Sequence, residues 1–471
     1  MHLWHAPHAC RACHDCMIAA AGAQAYDGLP VLVAGAGVSG AAAARVLRDR
    51  GARVTVADSS DERAEPLRAD GFDVRPLDAP PPGTGLVVTS PGWRPDAPLL
   101  VASAAAGVEV IGEVELAWRL RPAGAAPWLA VTGTNGKTTT VRMLASVLSA
   151  AGLRTVAAGN VGLPLLDAVL ADHDVLAVEL SSFQLHWSST LSPHTAVVLN
   201  IAPDHVDWHG SLDAYAADKG RIHAPGTVAV YNREDAESVR LAARAGRRAG
   251  FTLGSPGPGE LGVVEDLLVD RAFPDVAGEA TVVATLEDVR VPGAHNVANA
   301  LAAAALARSY GVPAEAVRGG LRAFSPDPHR NALVAEHDGV AWVDDSKATN
   351  PHAAAASLAA YPSVVWIAGG LLKGADVDDL VRTAASRLRA VVVLGTDRQP
   401  YLDALRRHAP DLPVQVVDRL DTGAMPDAVA RARVLARPGD TVLLSPAAAS
   451  MDCFRDYRER GELFADAVRG A

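Results

Sequence analysis

Lysine is the scarcest of the common charged residues in this chain. Of 43 lysines and arginines in 471 residues, the lysines are Lys137, Lys219, Lys347 and Lys373 alone. Arginine has replaced lysine wherever a generic cation suffices. The remaining four are expected where a compact ammonium, or an amine that can lose its proton, does what a guanidinium cannot. Cysteine is equally scarce. Three of the four, Cys10, Cys13 and Cys16, crowd the N-terminus with His2, His5, His8 and His14, and Cys453 stands alone. That excludes a disulfide framework and points to a reducing cytoplasm. A zinc module would need a second Cys/His pair further on, so residues 1–28 are expected to be a disordered, dispensable extension. Net positive charge is absent: the formal charge is −11, which argues against a nucleic-acid partner. No apolar run reaches bilayer length, so no membrane insertion is expected. Met1 to Ala25 lacks the basic and apolar regions of a signal peptide.

What is present is ordinary for a globular protein of two to four domains, with 49% apolar and 21% charged residues. One stretch organises the rest. Trp128 to Val131 reads as a buried strand, Gly133-Thr134-Asn135-Gly136-Lys137-Thr138 turns the chain, and Val141 to Ala150 has helical apolar spacing. Strand, glycine turn and helix start make a phosphate cradle. Lys137 would reach the outer phosphates and the Thr138 hydroxyl would sit on Mg²⁺. The strict pattern wants a further glycine where Val131 stands. The plainer alternative is a βα turn with a surface lysine.

Before this stretch, Pro30 to Ala34 reads as a strand, followed by Gly35-Ala-Gly37-Val38-Ser39-Gly40 and an alanine-rich helix. A second strand ends in Asp58. By spacing this is a dinucleotide fingerprint, and it equally suits any diphosphate at a helix N-terminus. Leu86 to Thr89 is a further strand running into Ser90-Pro-Gly92. Arg121 to Pro127 reads as a linker. Beyond the phosphate loop, Val175 to Glu179 delivers Glu179 at a strand end, and Ala196 to Asn200 leads to Asp204-His205. Ligands of open α/β sheets bind at carboxyl ends of strands, so Glu179 and His205 are expected on the rim with the loop, as Mg²⁺ ligands. Separately, they could be an ion-pair partner and a capped core residue. Lys219 falls on a helix predicted over Leu212–His223. After a second boundary near Ser325–Pro328, strands at 340–344, 364–368, 390–394 and 441–444 predict another open α/β sheet. Their ends carry Asp345-Ser-Lys347-Ala-Thr349-Asn350, Gly369-Gly-Leu-Leu-Lys373 and Ser445-Pro-Ala-Ala-Ala-Ser450.

Gly133 to Thr139, Glu179-Leu-Ser181-Ser-Phe-Gln-Leu185, Asp204-His205, Gly293-Ala-His-Asn296, His329-Arg330, Asp345 to Asn350 and Ser445 to Phe454 together resemble the Mur ligase family. The resemblance runs from about Leu29 to the end of the chain. It departs at Ala448, where the family often has cysteine, and at Asn331, where an aromatic is usual. It implies a three-domain α/β ligase. A Rossmann-like domain (29–122) would bind a UDP substrate, a central P-loop domain (123–326) ATP, and a Rossmann-like C-terminal domain (327–471) the amino acid. The implied reaction adds D-glutamate to UDP-N-acetylmuramoyl-L-alanine through an acyl phosphate, in peptidoglycan precursor synthesis.

By the same resemblance, Gly37, Val38, Ser39, Asp58, Ser59, Ser90, Gly92, Asn160 and Ser181 would contact the UDP substrate. Gly133, Thr134, Asn135, Gly136, Lys137, Thr138, Thr139, Asn296, Arg330, Asp345 and Lys347 would hold ATP. Thr138, Glu179, His205 and a carbamylated Lys219 would serve two Mg²⁺ ions, with Lys137, Lys219, His205 and Glu179 catalytic. Thr349, Lys373, Ser445 and Phe454 would receive D-glutamate. A monomer is expected. The acyl phosphate hydrolyses readily, so water must be excluded, as closure of the last domain would do. Competing readings are another amino-acid-adding ligase of the family or a folylpolyglutamate synthetase, an NAD-dependent oxidoreductase using Gly35 to Gly40, and a non-catalytic nucleotide-binding module.

Overall fold

The computed structural model describes residues 26–276, 278–326 and 328–470; the Cys/His-rich N-terminal stretch lies outside them. The apolar runs at Val31–Ala34, Trp128–Val131 and Val364–Ala368 do not alternate with polar residues. Strands of that kind are buried on both faces, as parallel sheets covered by helices require. Each of these residues is at most 2% exposed.

Three sheets result. The first is wholly parallel, with β1 (Pro30–Ala34), β2 (Arg53–Ala57), β3 (Asp73–Arg75), β4 (Leu86–Thr89) and β5 (Glu109–Gly112) in the order β3-β2-β1-β4-β5. The order reverses between β1 and β4, so a crevice opens beyond their carboxyl ends. Gly35 and Ser90 sit there.

The second sheet has nine strands: β6 (Trp128–Thr132), β7 (Thr155–Gly159), β8 (Val175–Glu179), β9 (Thr195–Val198), β10 (Val228–Asn232), β11 (Arg247–Phe251), β12 (Glu260–Val264), β13 (Leu267–Asp270) and β14 (Thr281–Thr285). The order is β14-β13-β12-β11-β10-β9-β6-β8-β7, parallel from β7 to β12 and antiparallel beyond. β6 lies between β8 and β9, so the ends of all three deliver residues to one rim. The helix Lys137–Ala150 follows β6 and packs against the helix Ala314–Ala323 at Gly320, where a Cβ would come within 2.3 Å of Val147 Cα. The third sheet runs β15-β16-β20-β17-β18-β19: Ala332–His337, Val340–Asp344, Thr441–Leu444, Val364–Gly369, Leu388–Leu394 and Val414–Val416. Only β15 is antiparallel.

The chain divides into two compact bodies. One holds the described residues up to Thr285 together with Ala300–Leu321; the other holds Leu286–Asn299 and everything from Arg322. Within the first body, the helix Glu113–Arg119 locks the first sheet to the second. Glu115 is fully buried, and its carboxylate accepts hydrogen bonds from the Ser189 N–H (2.9 Å), the Thr190 N–H (3.1 Å), the Thr190 hydroxyl and Arg119. Burial works to raise its pKa, but these donors outweigh burial and hold the carboxyl below its ordinary value. Gln184 Nε2 donates to Glu113 Oε1 at 2.9 Å beside it. No helix among the described residues is long and apolar enough to cross a membrane.

Glu115→Ala strips one carboxylate from two amides, a hydroxyl and a guanidinium. It is expected to destabilise the first body by about 3 kcal/mol in equilibrium denaturation, because buried donors are left unpaired. Arg382→Ala, which breaks an exposed pair with Asp379, is expected to cost less than about 0.5 kcal/mol.

Candidate active site

Gly133 and Gly136 turn the chain after β6 with φ of +150° and +83°. Gly136 caps the helix Lys137–Ala150, so the first N–H groups of that helix point at the mouth of the loop. Val131, in place of the missing glycine, is a buried strand residue and leaves the turn intact. Asn200, just past β9, clamps the loop. Its Oδ1 accepts from the Asn135 N–H (2.8 Å), its Nδ2 donates to Asn135 O (3.1 Å), and its carbonyl accepts from the Thr134 N–H (2.9 Å). The Thr134 hydroxyl lies 3.0 Å from Tyr215 OH and bridges to Ala202. Thr139 follows Thr138 in the first turn of the helix.

Glu179 ends β8 at 1% exposure. The Thr138 hydroxyl donates to one carboxylate oxygen at 2.8 Å and Asn160 Nδ2 to the other at 2.8 Å. Asn160 comes from the end of β7, where Gly159 approaches Glu179 O so closely that a Cβ would clash at 2.2 Å. Three strand ends thus fasten one buried carboxylate beside the phosphate loop. A hydroxyl and a carboxylate so placed suit a hard divalent cation. Ser181 caps the short helix Ser182–His186 in a reciprocal box with Gln184.

Two ammonium groups converge on a single carbonyl. Lys137 Nζ donates to Gly133 O (2.9 Å) and Thr134 O (2.8 Å), and Lys219 Nζ also donates to Gly133 O (2.9 Å). Lys219 is 1% exposed, with the Tyr215 ring 4.6 Å below its Nζ. Burial, and then the nearby Lys137 charge, push the Lys219 amine well below its ordinary pKa. His205 adopts φ of +51°, packs its ring 4.7 Å from that of Phe183 and lies 3.6 Å from Asp204. Burial of the ring, opposed by Asp204 and aided by Lys219 and Lys137, lowers its pKa, so at neutral pH it offers a neutral nitrogen.

In the first sheet, Gly35 (φ +105°) leaves room for Ser90, whose Oγ would lie 2.7 Å from an added Cβ and has no hydrogen-bond partner among the described residues. A Cβ on Gly40 would meet Gly35 O at 1.8 Å. Val38 is 78% exposed at the start of the helix Val38–Asp49, beside Gly37 and Ser39. Asp58 does not stand open to a ligand. At 6% exposure it accepts from the Ala36 and Ser60 N–H groups, each at 2.8 Å, and pairs with Arg63. Burial opposes its charge, but Arg63 and the two amides prevail and hold the carboxyl low. An acid committed in this way is not offered to a ribose as the NAD reading would want. Ser59 beside it is exposed, and Gly92 lies in the turn after Ser90.

In the second body, Asn296 is 3% exposed, and its Nδ2 donates to Pro292 O at 2.8 Å. Arg330 sits between His329 and Asn331, both at positive φ. Asp345 is 7% exposed: Oδ2 accepts from the hydroxyls of Ser357 (2.5 Å) and Ser445 (3.0 Å), and Oδ1 from the Asn331 N–H (3.2 Å). Burial pushes its carboxyl up to about 7 despite these donors. Lys347 Nζ lies 3.8 Å over the Tyr457 ring. Thr349 is half-buried, and Lys373 is exposed with φ of +52°. Lys373 lies in a turn held by paired bonds between Leu371 and Ala449. Phe454 packs in the core at 5% exposure rather than standing open.

The residue reading missed three features: the Asn200 clamp, the Glu115 seam, and a cluster of His186, His209 and Asp218. Each joins residues far apart in sequence, and only an Asx or His residue after a strand hints at them.

Comparison with known proteins gives the class first. Residues 131–307 match the Mur ligase middle domain and 329–448 the Mur ligase glutamate ligase domain, while 5–78 match the C-terminal domain of alanine dehydrogenase/PNT. The chain belongs to the Mur ligase family. It is 62% identical over 461 residues to the UDP-N-acetylmuramoylalanine–D-glutamate ligase of Streptomyces avermitilis, covering 94% of this chain and 99% of that one. It is also 62% identical to the ligase of the same name from Thermobifida fusca, with 94% and 98% covered. Among solved structures, the UDP-N-acetylmuramate-alanine ligase of Thermotoga maritima shares the fold at a TM-score of 0.56 and 20% identity, covering 94% of this chain and 99% of that one. E. coli FolC with ADP shares it at 0.55 and 22%, covering 74% and 91%.

A carboxyl whose pKa is raised by folding stabilises the fold fully below its unfolded value near 3.8, and that contribution is lost as pH rises through about 7. Asp345→Asn is therefore expected to show a smaller fall in melting temperature between pH 5 and pH 8 than wild type, while losing turnover. A constant offset between the two pH profiles would mean that Asp345 is ionised throughout.

Proposed function

We propose that this chain is the ATP-dependent ligase that joins D-glutamate to UDP-N-acetylmuramoyl-L-alanine, a cytoplasmic step of peptidoglycan precursor assembly. One observation carries the reading. Across 94% of its length, through all three sheets, the chain is 62% identical to a ligase whose name specifies that acceptor and that amino acid.

The residues supply the chemistry. The alanyl carboxylate attacks the ATP γ-phosphate, ADP leaves, and an acyl phosphate forms; the D-glutamate amine then displaces phosphate through a tetrahedral intermediate. The first step drives one anion against another, so positioning and charge dispersal dominate. Backbone N–H groups of Gly136 to Thr138 and the Lys137 ammonium receive the phosphates, Gly133, Thr134 and Asn135 shape the loop around them, and Thr139, Asn296, Arg330, Asp345 and Lys347 are assigned to the nucleotide. Thr138, Glu179 and His205 would hold magnesium, which neutralises phosphate charge when bound. Asn160 orients Glu179 and, with Ser181, is assigned to the muramoyl-alanine part. Gly37, Val38, Ser39, Ser59, Ser90 and Gly92 are assigned to the UDP, with Asp58 bracing their loop from behind. Lys373, Thr349 and Ser445 are assigned to the two D-glutamate carboxylates, and Phe454 to its short aliphatic part. The protein acts as a monomer.

Lys219 is assigned a carbamate. Carbamylation needs the neutral amine: the Nζ lone pair attacks the carbon of CO₂, a proton leaves, and an N-carboxylate results that can serve a second magnesium. Burial beside Lys137 supplies that amine, and a guanidinium could not. Lys219→Ala is expected to abolish turnover and Lys219→Arg not to restore it. CO₂ depletion should slow wild type reversibly; full turnover of Lys219→Arg without CO₂ would overturn the assignment.

The substrate assignment is tested by phosphate release from ATP. Release is expected only with UDP-N-acetylmuramoyl-L-alanine and D-glutamate together. L-glutamate should fail, since the inverted centre moves the amine off the acyl phosphate and small misplacements are costly. Lys373→Ala is expected to raise the D-glutamate KM at least about tenfold with little change in that for ATP. Turnover with a folate-type acceptor or a diamino acid would overturn it.

A further inference from the structure

Behind the Phe183 ring lies a group of side chains that the ligase reading leaves without a role. Phe183 stands between His205, with ring centroids 4.7 Å apart, and His209, stacked at 5.6 Å. On the His209 side, His186 Nδ1 lies 2.8 Å and His209 Nδ1 2.9 Å from the same oxygen, Asp218 Oδ2. Three donor atoms, two imidazole nitrogens and a carboxylate oxygen, lie within 4.8 Å of one another. They come from three short helices, Ser182–His186, Val206–His209 and Leu212–Gly220. We propose that His186, His209 and Asp218 form a binding site for a borderline transition-metal ion of the Zn²⁺ class, separate from the magnesium ligands.

The donor set selects the ion. Mg²⁺ prefers oxygen ligands, whereas two imidazoles and one carboxylate suit zinc or cobalt, with a fourth position left for water. The surroundings fit. His209 Nε2 lies 3.0 Å from Ser182 Oγ; with the ion bound, donation there would fix the tautomer that turns the Nδ1 lone pair to the metal, as orienting partners of metal-bound histidines do. Arg221 lies 3.1 Å from the other oxygen, Asp218 Oδ1, leaving Oδ2 to the ion. The His209 side chain is fully buried and that of Asp218 is 7% exposed, while His186 at 26% faces outward. The group opens on a cleft of about 530 Å³ that Arg94, Asp207 and Trp208 also line, so an ion and its water have a way in. Metal–nitrogen bonds of about 2.0–2.1 Å require the two rings to draw together and each imidazole–carboxylate contact to open enough to admit the ion.

The site has a consequence for the neighbouring residue. Asp218 and Lys219 are consecutive on one helix, about 100° apart around its axis. One reaches the two histidines and the other reaches Gly133 O. An ion bound to Asp218 ties this helix to the segment carrying Ser182 and braces it on a face adjacent to that of Lys219.

The test uses the full-length protein with magnesium in excess, titrated with Co²⁺ as an optical substitute for Zn²⁺. Wild type is expected to give the visible absorption of a four-coordinate nitrogen and oxygen site, displaced by Zn²⁺, with a melting temperature that rises with either metal. His186→Ala, with its fold checked by circular dichroism, should bind at least about tenfold more weakly and lose the melting response. If His186→Ala does not fold, His186→Asn carries the same comparison. Thiolate-to-cobalt absorption would report Cys10, Cys13 and Cys16 instead, and is subtracted as the part common to wild type and variant. Absence of the nitrogen-type absorption in wild type, or equal binding by the His186 variant, would show a purely hydrogen-bonded triad and overturn the proposal.

Discussion

Two lysine side chains donate to one carbonyl oxygen, and the centre of this molecule is arranged around that fact. Gly133 O can receive both because the glycine turn leaves it free of the β-ladder. Two full positive charges a few ångströms apart, one out of contact with water, repel strongly at low effective dielectric. Lys219, the fully buried partner, is driven towards the neutral form. The same geometry therefore sets Lys137, at the end of the loop, beside a helix-borne amine that favours its neutral form. An arginine at either position would stay charged and upset the division.

The rim around this pair is built from strand ends, as are the candidate site residues of the third sheet taken by itself, and that is why much of both could be read from the chain. Apolar runs without alternation gave the positions of β1, β6, β8, β16, β17 and β20, and the residue after each run fell at a carboxyl end, as it must in a parallel sheet. Glu179, Asp345, Ser445 and the phosphate loop were legible for this reason. The helix predicted to His223 stops at Gly220, because Arg221 caps it. The strands β10 to β14 were not legible: Arg247-Arg-Ala-Gly-Phe251 pairs with neighbours only because β10 is already in place, and its own pattern resembles a loop. Asp58 shows the limit of reading by spacing. Spacing puts an acid at the end of β2, but only the folded chain shows two amides and Arg63 already occupying it.

Buried polar contacts as well as apolar ones hold the first body together. Gln184 caps its own helix through the Ser181 N–H and also donates to Glu113 on the neighbouring helix. Glu115 then satisfies the amides of Ser189 and Thr190. Such groups are expensive when left single and well tolerated when every donor finds an acceptor. Register between the first two sheets is thus specified by hydrogen bonds of fixed direction, where a purely apolar seam would allow sliding.

The seclusion of Lys219 has a practical side. Its amine is nearly sealed from solvent, and burial beside Lys137 favours its neutral form, so a reagent for it must be small and electrophilic. Carbon dioxide meets that requirement, and so does isocyanic acid, which is isoelectronic with it and accumulates in aged urea solutions. Addition of isocyanic acid leaves an uncharged urea group, and, unlike a carbamate, the product does not revert. Samples of this protein kept in urea would therefore lose this amine to a reagent that favours neutral lysines.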